Sequence, residues 1–326
     1  MNLIQQHTAP MAKQQNWNIH FIRHFLALKG GKSLHTAEAY ERDILDFFRT
    51  ASIEDIQLNQ VIAVNLGDVE NYLMELEGAG FASATINRKL SSLSSLYSWL
   101  QKYQDNQTGA VLIRFNPFAH LKEEKPNVSS QETPFLTKEE CQTLLGSFDP
   151  SKLVDLRNKT LLALALSTAL RKSELIGIRL RDLKNVADIH VVEVTRKGRR
   201  KDQVKIQEAV FDLITEYISR TNRSIKTDGN TYLFLGHAKN GCQGEKLSPS
   251  TLNYMMKTVC KRAGIEKNLT VHSTRHTAIT LAITEGATIE KVRDFASHAS
   301  ITTTNRYIHS IDRLKNNAGD LIDLGI

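Results

Sequence analysis

Residues 270–309 read TVHSTRHTAITLAITEGATIEKVRDFASHASITTTNRYIH, and the histidines, arginine and tyrosine of this polar, helix-rich stretch set the reading of the whole chain. His272 and Arg275 stand three apart, so a helix opening near Ser273 turns both toward one side and a common ligand. His298 follows, and Tyr307 comes next on a short helix predicted to open at Ser300. Imidazole, guanidinium and phenol together suit a phosphodiester. Attack on that group builds negative charge on its non-bridging oxygens, which a planar guanidinium answers with two parallel, charge-assisted hydrogen bonds. A tyrosine hydroxyl can be the nucleophile, although a pKa near ~10 leaves it protonated at neutral pH and dependent on nearby cations or a base. His272 and His298 are candidates for that help. The same residues also read as a plain helix-turn-helix, with Gly286 ending one helix and Tyr307 packed in a core, so the rest of the chain has to decide.

With 326 residues, 41% of them hydrophobic, the chain has room for two domains with real cores. Lys and Arg outnumber Asp and Glu by 42 to 35, and the pI near 9.2 favours a polyanionic partner. Cys141, Cys242 and Cys260 are scattered and odd in number, which suggests neither a disulfide framework nor a zinc ribbon. The opening MNLIQQHTAP lacks the apolar core of a secretory signal, and the longest apolar run, LLALALSTAL over 161–170, is too short to cross a bilayer. A soluble, cytoplasmic protein with no membrane partner is the expectation.

Residues 1–16 are polar and expected to be loosely ordered. From Trp17 the apolar residues Ile19, Phe21, Ile22, Phe25, Leu26 and Leu28 take helical spacing up to Gly30-Gly31. The same periodicity predicts helices over 36–49, over 66–77 and over 83–103. The last places Ile86, Leu90, Leu93, Leu96, Tyr97 and Leu100 on one buried stripe. An all-helical domain over 17–103 follows. Ser83, Thr85, Asn87, Arg88 and Lys89, small polar and cationic groups at a helix start, are its candidate DNA face, with a merely solvated surface as the alternative.

Residues 104–134 read as a linker, because QDNQTGA, the turn former Asn116-Pro117 and KEEKPNVSSQETP offer little to bury. Flexibly joined basic lobes could close around a duplex as a clamp. A second domain is expected over 135–313. Thr137 and Glu140 form a capping-box pattern for a helix through Leu145. A nearly continuous apolar run predicts a helix buried on most sides that ends near Thr168, then a loop presenting Arg171 and a further helix capped by Ser173. Periodicity changes at IHVVEVT (189–195), which with 203–206 makes a β-hairpin bending at Gly198. Five cations fill its six-residue turn, Arg196, Lys197, Arg199, Arg200 and Lys201, and they are candidate DNA contacts against the alternative of a solvated charge run. A helix over 211–220, a short strand over 232–235 and a helix opened by Ser248-Pro249 and ended by Gly264 lead back to Thr270. The tail, 314–326, holds Leu321, Ile322, Leu324 and Ile326, which suit docking on a neighbouring copy or on the chain's own domain.

The pattern His-x-x-Arg-His at 272–276, followed by His298 and Tyr307, resembles the motifs of the tyrosine recombinases, the Xer and phage-integrase family. So does Ala169-Leu170-Arg171-Lys172-Ser173-Glu174-Leu175, where the family reads Gly-Leu-Arg-x-Ser-Glu-Leu, and Arg196-Lys197-Gly198, where it reads Gly-Lys-Gly. HTAEAYERDILDFF and ATINRKLSSLSSLYSWL look like the second and fourth helices of the family's core-binding domain. The resemblance runs from about Trp17 to His309.

This resemblance implies a mainly α protein of two domains: an all-helical, SAM-like core-binding domain and a mixed α+β catalytic domain with a small antiparallel sheet. It implies site-specific recombination of DNA through a 3′-phosphotyrosyl link on Tyr307, with Arg171 and Arg275 gripping the phosphate and His272 and His298 placing protons and hydrogen bonds. Lys197 would protonate the departing 5′ oxygen, and Glu174 would support Arg171. The covalent link conserves bond energy, so no cofactor and no metal is expected. The implied partners are double-stranded DNA recombination sites and further copies of the chain, a tetramer across two duplexes. Val271 stands where proline is common, Thr274 where leucine is, and Ser297 where glycine precedes the histidine. A type IB topoisomerase, which reseals the original strand, and a DNA-binding regulator with a vestigial site are the alternatives.

Overall fold

The computed structural model describes residues 19–31, 33–104, 109–121, 124–128, 133–196, 200–237, 244–298, 300–305 and 307. Contacts divide the chain into two units, Met1–Ser130 and Gln131–Ile326. Trp17, the segment 1–16, Cys242, the Gly198 bend and the tail 314–326 lie outside the described residues.

In the first unit the apolar spacing folds into helices α1 (Phe21–Gly30), α2 (Leu34–Phe48), α3 (Leu58–Ala63), α4 (Leu66–Gly78) and α5 (Ser83–Leu100). Phe21, Ile22, Phe25 and Leu26 of α1 turn inward, whereas Ile19 and Leu28 are half exposed. Helix α2 opens two residues before the predicted start because Ser33 caps it, its side chain accepting from the Thr36 N–H. The whole predicted stripe of α5 is buried. Helix α3 was not predicted, since six residues are too few to show a period. Within the stretch read as a linker, Ile113, Phe118 and Leu121 enter this core. Phe118 is fully buried, with ring centroids 5.1 Å from Phe47 and 5.0 Å from Tyr97. The Asn116 amide donates to the Ser94 carbonyl at 2.9 Å and to the Ser98 hydroxyl at 2.8 Å. Isolated apolar residues without a period carry no sign of such a strap.

The second unit begins with α6 (Lys138–Gly146), where Thr137 and Glu140 form the predicted reciprocal cap. Helix α7 (Leu153–Thr168) is buried on most sides and ends where expected. Helix α8 (Lys172–Gly177) takes Arg171 as its cap, so Ser173 lies one residue inside the helix rather than at its cap. An antiparallel meander follows, β1 (Leu183–Val186), β2 (Ile189–Thr195) and β3 (Lys201–Lys205), in the order β1-β2-β3. Leu183 pairs with Val192 and Thr195 with Lys201. Strand β1 was missed because its two-residue turn uses Ala187 and Asp188, both left-handed (φ 48° and 61°), in place of the Asn-Gly that usually announces such a turn. The strand expected over 232–235 is reduced to isolated bridges, Tyr232 with Arg179 and Leu235 with Lys246. Helices α9 (Glu208–Arg220), α10 (Pro249–Arg262), α11 (Val271–Thr284) and α12 (Ile289–Ala296) complete the unit, and residues 301–305 and Tyr307 are helical. The core gathers α6 to α10 and the inner face of the sheet. Among the described residues, Cys141 and Cys260 are buried free thiols, and no helix is long and apolar enough to cross a membrane.

Candidate active site

Thr270 caps α11, exchanging hydrogen bonds with Ser273, and so starts the helix two residues earlier than the sequence suggested. Arg275 lies one turn in and is only 3% exposed. Its guanidinium donates through Nη1 to the Ala169 carbonyl at 2.5 Å and through Nη2 to the Ala296 carbonyl at 2.5 Å. Both acceptors sit at helix ends, where carbonyls have lost their helical partners. One arginine therefore ties the end of α7 and the end of α12 to α11. Burial, with the charges of Arg171 and Arg196 nearby, draws its pKa down to about 10, and Glu174 and Tyr307 oppose this. It stays a cation at neutral pH.

Ala169 and Ser297, two of the three residues standing where the resembled motifs carry glycine, both have left-handed backbones, with φ 51° and 47°. Glycine adopts that conformation without the steric cost an L side chain incurs. The chain offsets the cost locally. The Ala169 carbonyl is held by Arg275, and the Ser297 hydroxyl donates to Asp202 Oδ2 at 2.8 Å. The other departures are equally local. Val271 is the first residue of α11, the position where proline is tolerated, and buried Thr274 satisfies its hydroxyl by donating to the Val271 carbonyl at 2.7 Å.

Arg171 follows the left-handed Ala169. Glu174 accepts from its backbone N–H at 2.8 Å and from its Nη1 at 3.0 Å, leaving the side chain 37% exposed. His298, directly after Ser297, shares a hydrogen bond between Nδ1 and the buried Thr304 hydroxyl at 3.0 Å. Tyr307 is half-buried against Ala169, Ala278, Ile279, Val292 and Ala296. Its ring centroid is 4.4 Å from that of His276 and 5.8 Å from that of His298. Burial raises the phenol pKa, and Arg275 and Arg171 pull it back only in part. Burial and neighbouring cations bring His298 down to about 4, and burial with His272 and Arg275 does the same for His276. His272, exposed at its rim, is lowered by desolvation and by Arg275, Arg171 and Lys172. At neutral pH these imidazoles are uncharged and able to accept a proton.

Arg171, His272, Arg275, His298 and Tyr307 thus share one neighbourhood of the second unit, each within the electrostatic reach of the arginines. Lys197 and Arg199 lie outside the described residues. His276 was passed over in the sequence, although its place in the His-x-x-Arg-His pattern was a usable signal. The arrangement offers two cations to an incoming phosphate, proton acceptors beside a phenol, and dipoles fixed in advance of any charge development.

The proposed DNA contacts are less uniform than the sequence suggested. Arg196 is no surface cation: at 8% exposure it pairs with Glu174 and Asp202. Arg200 and Lys201 are exposed, and Lys201 pairs with Glu193 at 3.0 Å. In the first unit Ser83 and Thr85 are half-buried, and Asn87 donates to the Pro126 carbonyl at 3.0 Å. Arg88 pairs with Asp43. Lys89 is buried, 2.7 Å from Asp46 and 3.9 Å from Asp43. Asp43, 1% exposed, has to be compensated; Arg88 pairs with it while its side chain stays 47% exposed, and Lys89 alone of the two cations turns inward.

Residues 134–313 match the family described as phage integrase, and residues 21–104 match the phage integrase N-terminal SAM-like domain. The tyrosine recombinase XerC of Listeria welshimeri is 30% identical over 280 residues, covering 85% of this chain and 87% of its own length. Among solved structures, the XerH site-specific recombinase bound to palindromic difH substrate, in a post-cleavage complex, aligns with a TM-score of 0.70 at 21% identity, over 92% of this chain and 83% of that one. The Tn1549 transposon integrase in complex with circular intermediate DNA aligns with a TM-score of 0.65 at 20% identity, over 88% and 93%. These structural likenesses are likenesses of fold.

Proposed function

The chain belongs to the phage integrase family, as a tyrosine site-specific recombinase acting on DNA, and we propose that Tyr307 is the residue through which it cuts and rejoins each strand. Its hydroxyl attacks the phosphorus and gives its proton to a neutral imidazole, His276 or His298. The bond from phosphorus to the 5′ oxygen breaks, and that oxygen takes a proton from Lys197, leaving a 3′-phosphotyrosyl link and a free 5′ hydroxyl. Attack by the 5′ hydroxyl of a partner duplex reverses these steps and releases Tyr307. Arg171 and Arg275 hold the non-bridging oxygens throughout, and His272 adds a hydrogen bond. The bond is exchanged rather than hydrolysed, so no nucleotide cofactor is consumed.

The observation that supports this most is the setting of Tyr307: its ring packs on His276 and lies in the field of Arg171 and Arg275, and Arg275 is tied through the Ala169 carbonyl to the loop that carries Arg171. Arg200 and the exposed Arg88 near the start of α5 add contacts to the duplex. The protein acts as several copies on a recombination site, four in the synapse, wherever that DNA lies in the cytoplasm. The test mixes two differently labelled duplexes carrying a footprinted site. Exchanged products are expected; relaxation without exchange would indicate a topoisomerase. Covalent adducts on a nicked suicide duplex should form with the wild type and vanish with Tyr307→Phe, and their absence from the wild type would indicate a regulator.

A further inference from the structure

The cationic turn after β2 carries one residue that the reaction above does not use. Arg196 keeps its side chain at 7% exposure, and its backbone N–H donates to the Arg200 carbonyl at 2.8 Å. Its Nη1 donates to Glu174 Oε2 at 2.8 Å and its Nε to Asp202 Oδ2 at 3.0 Å. Each carboxylate is committed a second time, to a different loop of the site. Glu174 accepts from the backbone and side chain of Arg171, and Asp202 Oδ2 accepts from the Ser297 hydroxyl at 2.8 Å, immediately before His298.

We propose that Arg196 is a positioning residue, a buried strut that joins the Arg171 loop to the Ser297–His298 loop through Glu174 and Asp202. It rests on the recombinase reading of the site. Two cations and two carboxylates balance in this chain of contacts. Removing Arg196 would leave Glu174 to Arg171 and Asp202 to the Ser297 hydroxyl, and would unbalance the charge close to where a phosphate arrives, so geometry and charge would fail together. A planar fork can serve two carboxylates at once, whereas an ammonium is a point charge that serves one well.

The experiment uses the full chain with Arg196→Ala, Arg196→Lys and Asp202→Asn, and compares non-covalent DNA affinity across a salt series with single-turnover cleavage of a nicked suicide duplex. Misplacing reacting groups by an ångström costs on the order of 100-fold in rate, so Arg196→Ala should cleave about that much more slowly while its affinity and salt slope match the wild type. Arg196→Lys should recover part of the rate. Asp202→Asn should slow cleavage as well, and adding it to Arg196→Ala should cost nothing further. Wild-type cleavage by Arg196→Ala overturns the proposal, as does lost affinity with a salt slope lower by about one, the mark of a phosphate contact. If Arg196→Ala does not fold, Asp202→Asn, whose side chain is 28% exposed, decides by the same criteria. A wild type that forms no Tyr307-dependent adduct overturns the underlying reading. A normal wild-type adduct beside an unimpaired Arg196→Ala overturns the strut alone.

Discussion

Arg171 and Arg275 have the same proposed partner but different duties in the fold, so replacing each by alanine should separate catalysis from stability. The Arg275 guanidinium is buried and supplies donors to the carbonyls of Ala169 and Ala296. Arg275→Ala leaves both carbonyls unsatisfied, at ~1–3 kcal/mol each, or roughly 2–6 kcal/mol before any cavity is counted. For a unit of this size a kilocalorie moves the melting temperature by about 2–4 °C, so the expected drop is on the order of 5–20 °C. The Arg171 side chain is 37% exposed, and its partner Glu174 keeps Arg196. Glu174 is buried but retains Arg196, so Arg171→Ala leaves no buried charge unpaired and should melt within a few degrees of the wild type. Both variants should lose cleavage of a suicide duplex by on the order of 100- to 1,000-fold, the scale for a group that stabilises developing charge. Thermal melts by circular dichroism beside single-turnover cleavage read both quantities. An Arg275→Ala variant that melts with the wild type would refute the structural duty assigned to its guanidinium.

Lys89→Ala should destabilise the first unit by about 2 kcal/mol in urea, because it withdraws a buried charge-assisted partner from Asp43 and Asp46. It should leave the salt slope of DNA binding unchanged; a slope lower by about one would make Lys89 a phosphate contact after all. Phe118→Ala should cost about 3–5 kcal/mol in the same unfolding assay, since the ring is fully buried, and a near-neutral result would place the 113–121 strap outside the cooperative core. His276 and His298 are held near 4 in the folded chain against 6.5 when unperturbed. Between those values the unfolded chain binds protons that the folded chain does not, so stability should fall as the pH drops from 6.5 toward 4. Melting temperatures across that window should decline, and less steeply in His276→Gln; a flat profile contradicts the assignment.

Where the chain repeats a period, its structure was legible. The six-residue stripe of α5, the Thr137–Glu140 cap and the Ser248-Pro249 helix start can all be read directly, because each depends on neighbours within a few residues. Features that depend on distant partners were not. A run of five cations does not say which one turns inward; for Arg196 that is decided by Glu174, 22 positions earlier. Lys89 looked like a surface cation because its partners, Asp46 at 2.7 Å and the buried Asp43, sit on a different helix. Ala169 and Ser297 were readable as departures from glycine, but the hydrogen bonds that compensate them come from Arg275 and Asp202. Strand β1 was hidden by a turn of unusual composition, and the 113–121 strap by apolar residues too scattered to show a period.

The central claim is that the hydroxyl of Tyr307 becomes joined to DNA beside Arg171 and Arg275. Trapping the adduct on a nicked suicide duplex, digesting it and sequencing the nucleotide-bearing peptide by mass spectrometry tests this directly. The account predicts a single modified peptide, with a 3′-phosphate esterified to Tyr307 and a free 5′ hydroxyl on the released strand. A 5′-phosphate linkage, or attachment at any other residue, would contradict it.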